Sequence, residues 1–152
     1  ICACLVGSEM CIRDSHAGWR GTVNRILTKT LHRMQSAYGT EGTDVIACIG
    51  PGISLDSFEV GDEVYEAFRT ENFPMEYISV WKPETHKYHI DLWAANRLQL
   101  SDFGVPPRQI ENAGICTYRQ HEDFFSARRL GIKSGRILSG IMLNGQEKGE
   151  RK

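Results

Sequence analysis

The sequence predicts an α+β fold, a single layered domain in which a mixed β-sheet carries packed helices. Three observations lead there. Apolar residues recur at three- and four-residue steps over 22–39 and again over 92–102. Short apolar runs such as 45–49 are bounded by turn residues. The two kinds of segment alternate loosely along the chain, as in layered folds with helices on a sheet. At 152 residues one core suffices, since a chain of this size buries about 70% of its unfolded surface without disulfide staples.

The elements follow in order. Val23, Ile26, Leu27, Leu31, Met34 and Tyr38 set one helical face over 22–39, and Gly39 closes it. Residues 45–49 form a buried strand, and Gly50-Pro51-Gly52 imposes a tight loop. Asp56 or Ser57 is a cap for a helix over 60–69, where Val60, Val64 and Phe68 share a face. Residues 77–81 and 88–90 carry strand signal. Asp91 caps a helix over 92–102 that Gly104 ends, with Pro106-Pro107 beyond. Residues 109–116 and 135–143 read as further strands around an Arg- and aromatic-bearing loop, and 144–152 form a polar tail.

Residues 1–15 read differently. Residues 1–6 suit a short strand, but 7–15 show no period. Leu5-Val-Gly-Ser-Glu-Met-Cys-Ile-Arg-Asp-Ser15 matches, over eleven residues, the translation of a transposon-type sequencing adapter. The expectation is a non-native leader over 1–15 that packs poorly, ahead of a domain over 16–143.

Composition narrows the function classes. The formal charge is −1, with 41% hydrophobic and 24% charged residues, which argues against disorder and against a general nucleic-acid binder. No apolar run approaches a membrane span, and no signal peptide is visible. The five cysteines are odd in number and irregularly placed, so the expectation is a reduced, cytoplasmic chain. Cys48 and Cys116, in apolar runs, read as small core hydrophobes.

Two motifs carry chemistry. In His16-Ala-Gly-Trp-Arg-Gly-Thr22, Gly18 and Gly21 allow backbone to approach a bound group, and Arg20 adds charge at a helix N-terminus, a plausible anion site. His16 is either a metal ligand or a hydrogen-bonded structural histidine. In Phe124-Phe-Ser-Ala-Arg-Arg129, Arg128 and Arg129 beside the Ser126 hydroxyl suit a phosphate, and Phe125 suits stacking on a base. The alternative is a solvated Arg pair over core phenylalanines. His86 and His89, three apart on a strand, point to opposite faces and so favour no metal pair. Glu59, Asp62 and Glu63 read as the solvent face of one helix.

These motifs occur in order with Ile49-Gly-Pro-Gly-Ile-Ser54, Phe58-Glu-Val-Gly61, Asp91-Leu92 with Asn96, and Cys116-Thr-Tyr118. Together they resemble the bacterial YfiH/YlmD-type family, related to the vertebrate laccase-domain-containing protein and also known as polyphenol oxidase or peptidoglycan editing factor. The resemblance runs from His16 to about residue 143 and implies a YfiH-like fold. It implies a purine nucleoside phosphorylase, which converts adenosine, inosine or guanosine plus phosphate into base and ribose 1-phosphate. It also implies associated adenosine deaminase and methylthioadenosine phosphorylase activity.

The family binds zinc through two histidines and a cysteine, and His16 matches the last of these ligands. The others belong to upstream Gln-Val-His-Gly and Thr-Ala-Asp-Cys motifs that this sequence does not contain. The expectation is an N-terminally truncated member whose zinc site is incomplete. Arg20 and Arg129 are the expected catalytic residues, orienting phosphate; Gly18, Gly21, Ser126, Arg128 and Phe125 are expected to bind substrate, with His16 on the metal. Arg20 is expected to meet the Arg128/Arg129 loop at one cleft. Expected partners are purine nucleosides and phosphate, with no nucleic acid or membrane, and a homo-oligomer is compatible with the sequence. A laccase is rejected, because no His-x-His pair occurs. A peptidoglycan-precursor editing hydrolase and an inactive interaction module are the remaining alternatives.

Overall fold

The structure, a computed structural model, describes residues 2–6, 12–131 and 133–141. Seven strands and six helices occur among them: β1 (Cys2–Val6), β2 (Ile12–His16), α1 (Trp19–Val23), α2 (Ile26–Tyr38), β3 (Ile46–Ile49), β4 (Glu59–Val60), α3 (Asp62–Thr70), α4 (Met75–Ile78), β5 (Ser79–Lys82), β6 (Lys87–Ile90), α5 (Leu92–Asp102), β7 (Ile110–Asn112) and α6 (Ala127–Leu130). The α+β class holds, with the strands divided between two sheets. One is mixed, in the order β2-β1-β3-β7, with β3 and β7 parallel; the other is antiparallel, in the order β4-β6-β5.

The helical period buries what it predicts. Leu27, Leu31 and Met34 of α2 pack on Val45, Ala47 and Ile49 of the β3 segment and on Ile110 of β7. A second core joins Val60, Val64, Phe68, Ile78 and Ile90 around the antiparallel sheet. Between them lies α5, which gives Leu92 and Ala95 to the second core and Leu100 to the first. Its start is set as expected, because the Asp91 carboxylate accepts from the Ala94 N–H at 2.9 Å. The turn into β3 passes close to the end of α5. A Cβ on Gly42 would stand 2.4 Å from the Gly104 carbonyl carbon, so only glycine lets the two backbones meet.

Several expectations are corrected. The helix over 22–39 is two helices, broken at Arg25, whose φ of 54° is left-handed. The helix over 60–69 starts at Asp62 with Gly61 as its cap, because Glu59 and Val60 are drawn into β4. Asp56 and Ser57 lie instead in a single turn at Leu55–Ser57. Glu59 therefore does not share a helix face with Asp62 and Glu63. The strand over 109–116 shortens to β7, and 134–141 form no strand; residues 142 and 143, with the tail over 144–152, lie outside the described residues.

In the first fifteen residues the strand expected over 1–6 is present as β1, but the expected poor packing is not found where they are described. Where described, they are paired: β1 lies between β2 and β3, with Cys2 opposite His16 and Cys4 opposite Cys48. Ser15 is buried. β2 pairs with β1 through backbone hydrogen bonds, which need no side-chain period, so the lack of a period over 7–15 does not exclude a strand over 12–15. Residues 7–11 lie outside the described residues.

Candidate functional site

The His16 turn is anchored from α5. Thr22 donates its hydroxyl to the Ala17 carbonyl at 3.1 Å, while Asn96 Nδ2 donates to Thr22 Oγ1 at 3.1 Å and Gln99 Nε2 to the Thr22 carbonyl at 3.2 Å. Thr22, Asn96 and Gln99 are all buried, so these bonds carry the full cost of leaving a buried polar group unpaired. The two glycines serve His16 itself. A Cβ on Gly21 would lie 2.9 Å from the His16 carbonyl oxygen, and one on Gly18 would lie 3.2 Å from His16 Nε2. Burial, followed by nearby positive charge including Arg136, lowers the His16 pKa below its usual value and favours the neutral imidazole.

The expected helix N-terminal anion site is weaker than the sequence suggested. α1 has five residues before Arg25 breaks the helix, too few peptide dipoles to sum to a strong field. Arg20 lies over the Trp19 ring, 4.4 Å from its centroid. Among the described residues no hydrogen bond or ring contact links Arg20 to Arg128 or Arg129.

The second motif opens onto a polar cleft of about 430 Å³. Asp56 and Ser57 come from the turn before β4, Glu59 from β4, His89 from β6, Tyr118 and Arg119 from the loop after β7, and Arg128 from α6. Register assembles it, since Glu59 and His89 are direct partners across β4 and β6. Arg128 Nη1 donates to the Glu59 carbonyl at 2.9 Å, and its guanidinium lies 5.2 Å from the Phe58 ring centroid. Arg129 turns onto Tyr118, 5.3 Å from the ring centroid. Ser126 is buried and its carbonyl accepts from the Arg129 and Leu130 N–H groups, whereas Phe125 is exposed rather than in the core.

Charges in the cleft are largely paired. Arg119 meets Asp56 at 2.9 Å and Lys87 meets Glu59 at 2.9 Å; the Lys87 bond is the main reason the Glu59 carboxyl sits below its ordinary pKa. His89 Nδ1 is 2.9 Å from the Leu55 carbonyl and must donate to it, which leaves Nε2 toward Glu59 Oε2 at 3.9 Å. Beneath the cleft, Cys116 departs from a plain core thiol. Burial pushes its pKa up, but the Ser54 hydroxyl and N–H, the Arg119 N–H and the Ser57 hydroxyl outweigh this and hold it at about 7.

Sequence reasoning gave site roles to Arg128 and its neighbours; it quoted Glu59, Cys116 and Tyr118 only within family motifs, set His89 aside as a metal ligand and did not single out Arg119. The usable signal was the Phe58-Glu-Val-Gly61 motif facing a histidine-bearing strand.

The family described as "Multi-copper polyphenol oxidoreductase laccase" matches residues 7–144. The chain belongs to this family. Among its curated relatives, this laccase-family chain is 66% identical over 129 residues to "Purine nucleoside phosphorylase" of Bacteroides thetaiotaomicron, covering 85% of the chain and 48% of that protein. It is 50% identical over 127 residues to "Adenosine deaminase RL5" of an unknown prokaryotic organism, covering 84% and 48%. The YfiH-like fold is confirmed by the crystal structure of Bacillus licheniformis hypothetical protein YfiH. That comparison has a TM-score of 0.76 and 28% identity and covers 84% of this chain and 49% of that one. The chain thus spans about half the length of the curated relatives it matches.

Proposed function

We propose that the protein takes part in purine nucleoside phosphorolysis, with adenosine deamination and methylthioadenosine cleavage as associated activities. The observation that carries this reading is the 66% identity over 129 residues to a relative named for that reaction. The polar cleft at Arg128 is consistent with it. In phosphorolysis a phosphate oxygen forms a bond to the ribose C1′ as the bond to the purine nitrogen breaks, and the base leaves with a proton. The chain's task is to hold phosphate in line, converting a bimolecular attack into an effectively unimolecular one. Arg128 serves this role with its guanidinium bonded to the Glu59 carbonyl, and Arg129, turned onto the cleft residue Tyr118, supplies further charge. Phe125, half exposed, is available to stack on the base.

The zinc implied by the resemblance does not fit the described residues alone. Among them, no three His, Cys, Asp or Glu side chains lie together as a metal set. We assign His16 as one ligand and leave the others to the upstream motifs. No step is routed through the metal. No helix among the described residues is long and apolar enough to cross a membrane, and a cytoplasmic setting is the reading we favour. The deciding experiment is phosphate-dependent release of hypoxanthine from inosine by a parent-length protein. Release that proceeds equally without phosphate would overturn the reading.

A further inference from the structure

The cleft at His89 shows more than a pair of arginines near a sheet. His89 is 7% exposed, yet its ring forms part of the cleft wall. The Leu55 carbonyl can only accept, so His89 Nδ1 carries the hydrogen. Nε2 is then the atom left for a ligand, and in the neutral ring it is an acceptor. Glu59 Oε2 stands 3.9 Å from it, beyond hydrogen-bond distance.

Charge fixes the other half of the ligand. Lys87 matches Glu59, and Arg119 matches Asp56. Arg128 has only a neutral carbonyl partner and makes no ion pair among the described residues. One positive charge is thus left over in a cleft whose carboxylates are already paired. Its guanidinium is held in place by the Glu59 carbonyl and the Phe58 ring, so little freedom remains to be lost on binding.

A ligand that satisfies both groups offers anionic oxygens to Arg128 and a hydroxyl hydrogen to His89. We propose that this cleft is a phosphoryl-binding site in which Arg128 takes the oxyanion and His89 accepts from the phosphoryl hydroxyl. A hydrogen phosphate or a singly protonated phosphate monoester has both features, whereas sulfate has the charge without the hydrogen. The site deepens the phosphorolysis reading and rests on it only for the choice of inorganic phosphate as first probe.

The test is isothermal titration of the full 152-residue chain with inorganic phosphate, sulfate and ribose 5-phosphate above neutral pH. Phosphate should bind about tenfold more tightly than sulfate, the worth of one hydrogen bond to a charged group. His89→Asn retains a donor for the Leu55 carbonyl and deletes Nε2, so it should erase that preference. Arg128→Met should abolish binding of all three, with circular dichroism confirming that both variants fold. Above neutral pH ribose 5-phosphate is largely the dianion and lacks the phosphoryl hydrogen, so it should behave like sulfate, losing its binding in Arg128→Met and keeping it in His89→Asn. Equal affinity for phosphate and sulfate, unchanged affinity in folded Arg128→Met, or no binding of inorganic phosphate would overturn it. Inosine turnover by a parent-length protein is read separately. Phosphate-dependent turnover with an unchanged phosphate KM in His89→Asn would sink this site and leave the phosphorylase reading intact. Phosphate binding without turnover would do the reverse.

Discussion

The Ser54 hydroxyl donates to the Cys116 sulfur at 3.1 Å, joining residues 62 positions apart. The bond exists because the loop after β3 runs alongside the segment after β7. Gly52 bridges Cys116 in parallel, and the Thr117 N–H reaches the Gly52 carbonyl at 2.8 Å. The Ser54 N–H adds a longer contact to the same sulfur at 3.4 Å. A buried thiol in apolar surroundings resists ionisation, and these donors reverse that tendency.

Cys116 should therefore titrate near pH 7, against an ordinary thiol value of 9.0. Ultraviolet thiolate absorbance, with Cys116→Ala as the blank, reads this directly. Ser54→Ala should move the midpoint upward. The linkage has a definite sign: between about 7 and 9.0 the folded thiol is ionised while the unfolded one still holds its proton. Stability should rise with pH across that window, and the part due to Cys116 should disappear as pH falls through 7. A midpoint unmoved by Ser54→Ala would contradict the assignment.

Asn96→Ala should cost about 1–3 kcal/mol in urea denaturation, the range for stranding a buried polar partner. The side chain gives one hydrogen bond to Thr22 Oγ1 and another to the Leu92 carbonyl at 2.7 Å. Loss of only a few tenths would mean that the His16 turn holds its shape without α5.

Gly21→Ala and Gly140→Ala make a matched pair. The first places a methyl 2.9 Å from the His16 carbonyl oxygen, whereas the second meets nothing within 4 Å. The first should lose about 1–3 kcal/mol through forced backbone movement, and the second should stay within about 0.5 kcal/mol. Thermal melts of both variants check the contrast.

The chain as given should bind zinc weakly or outside the family geometry. A parent-length protein carrying the upstream histidine and cysteine motifs should bind about one zinc, the count for a single three-ligand catalytic site. There His16→Ala should remove metal and inosine turnover together, while Arg129→Ala should keep metal and raise the phosphate requirement. Metal analysis beside the phosphorolysis assay measures both. Full occupancy in the 152-residue chain would show that the zinc site completes itself without those motifs.

Local signals made much of the fold legible. Asp91 and Gly104 bracket α5 because a cap and a helix stop act within a few residues. The break at Arg25 could not be read that way. Its guanidinium reaches the Glu71 carbonyl at 2.9 Å and lies 4.4 Å from the Phe73 ring centroid, so a partner more than forty residues away accompanies the left-handed turn. The site divides similarly. Arg128 was visible in its motif, but Glu59 faces His89 only through the register of β4 on β6. Residues 135–141 have apolar strand character yet form no ladder with the described residues, and propensity without a paired strand does not make one.

A helix that serves two cores also couples their fluctuations. Opening the antiparallel sheet would uncover Leu92 and Ala95, while opening the mixed sheet would uncover Leu100. Neither side of α5 can be released without straining the hydrogen bonds that Asn96 and Gln99 send to the His16 turn. The amides of α5 should accordingly exchange with deuterium only through global unfolding, making this helix the slowest-exchanging unit of the domain. The His16 turn, short and poor in regular structure, acquires that helix's rigidity by attachment.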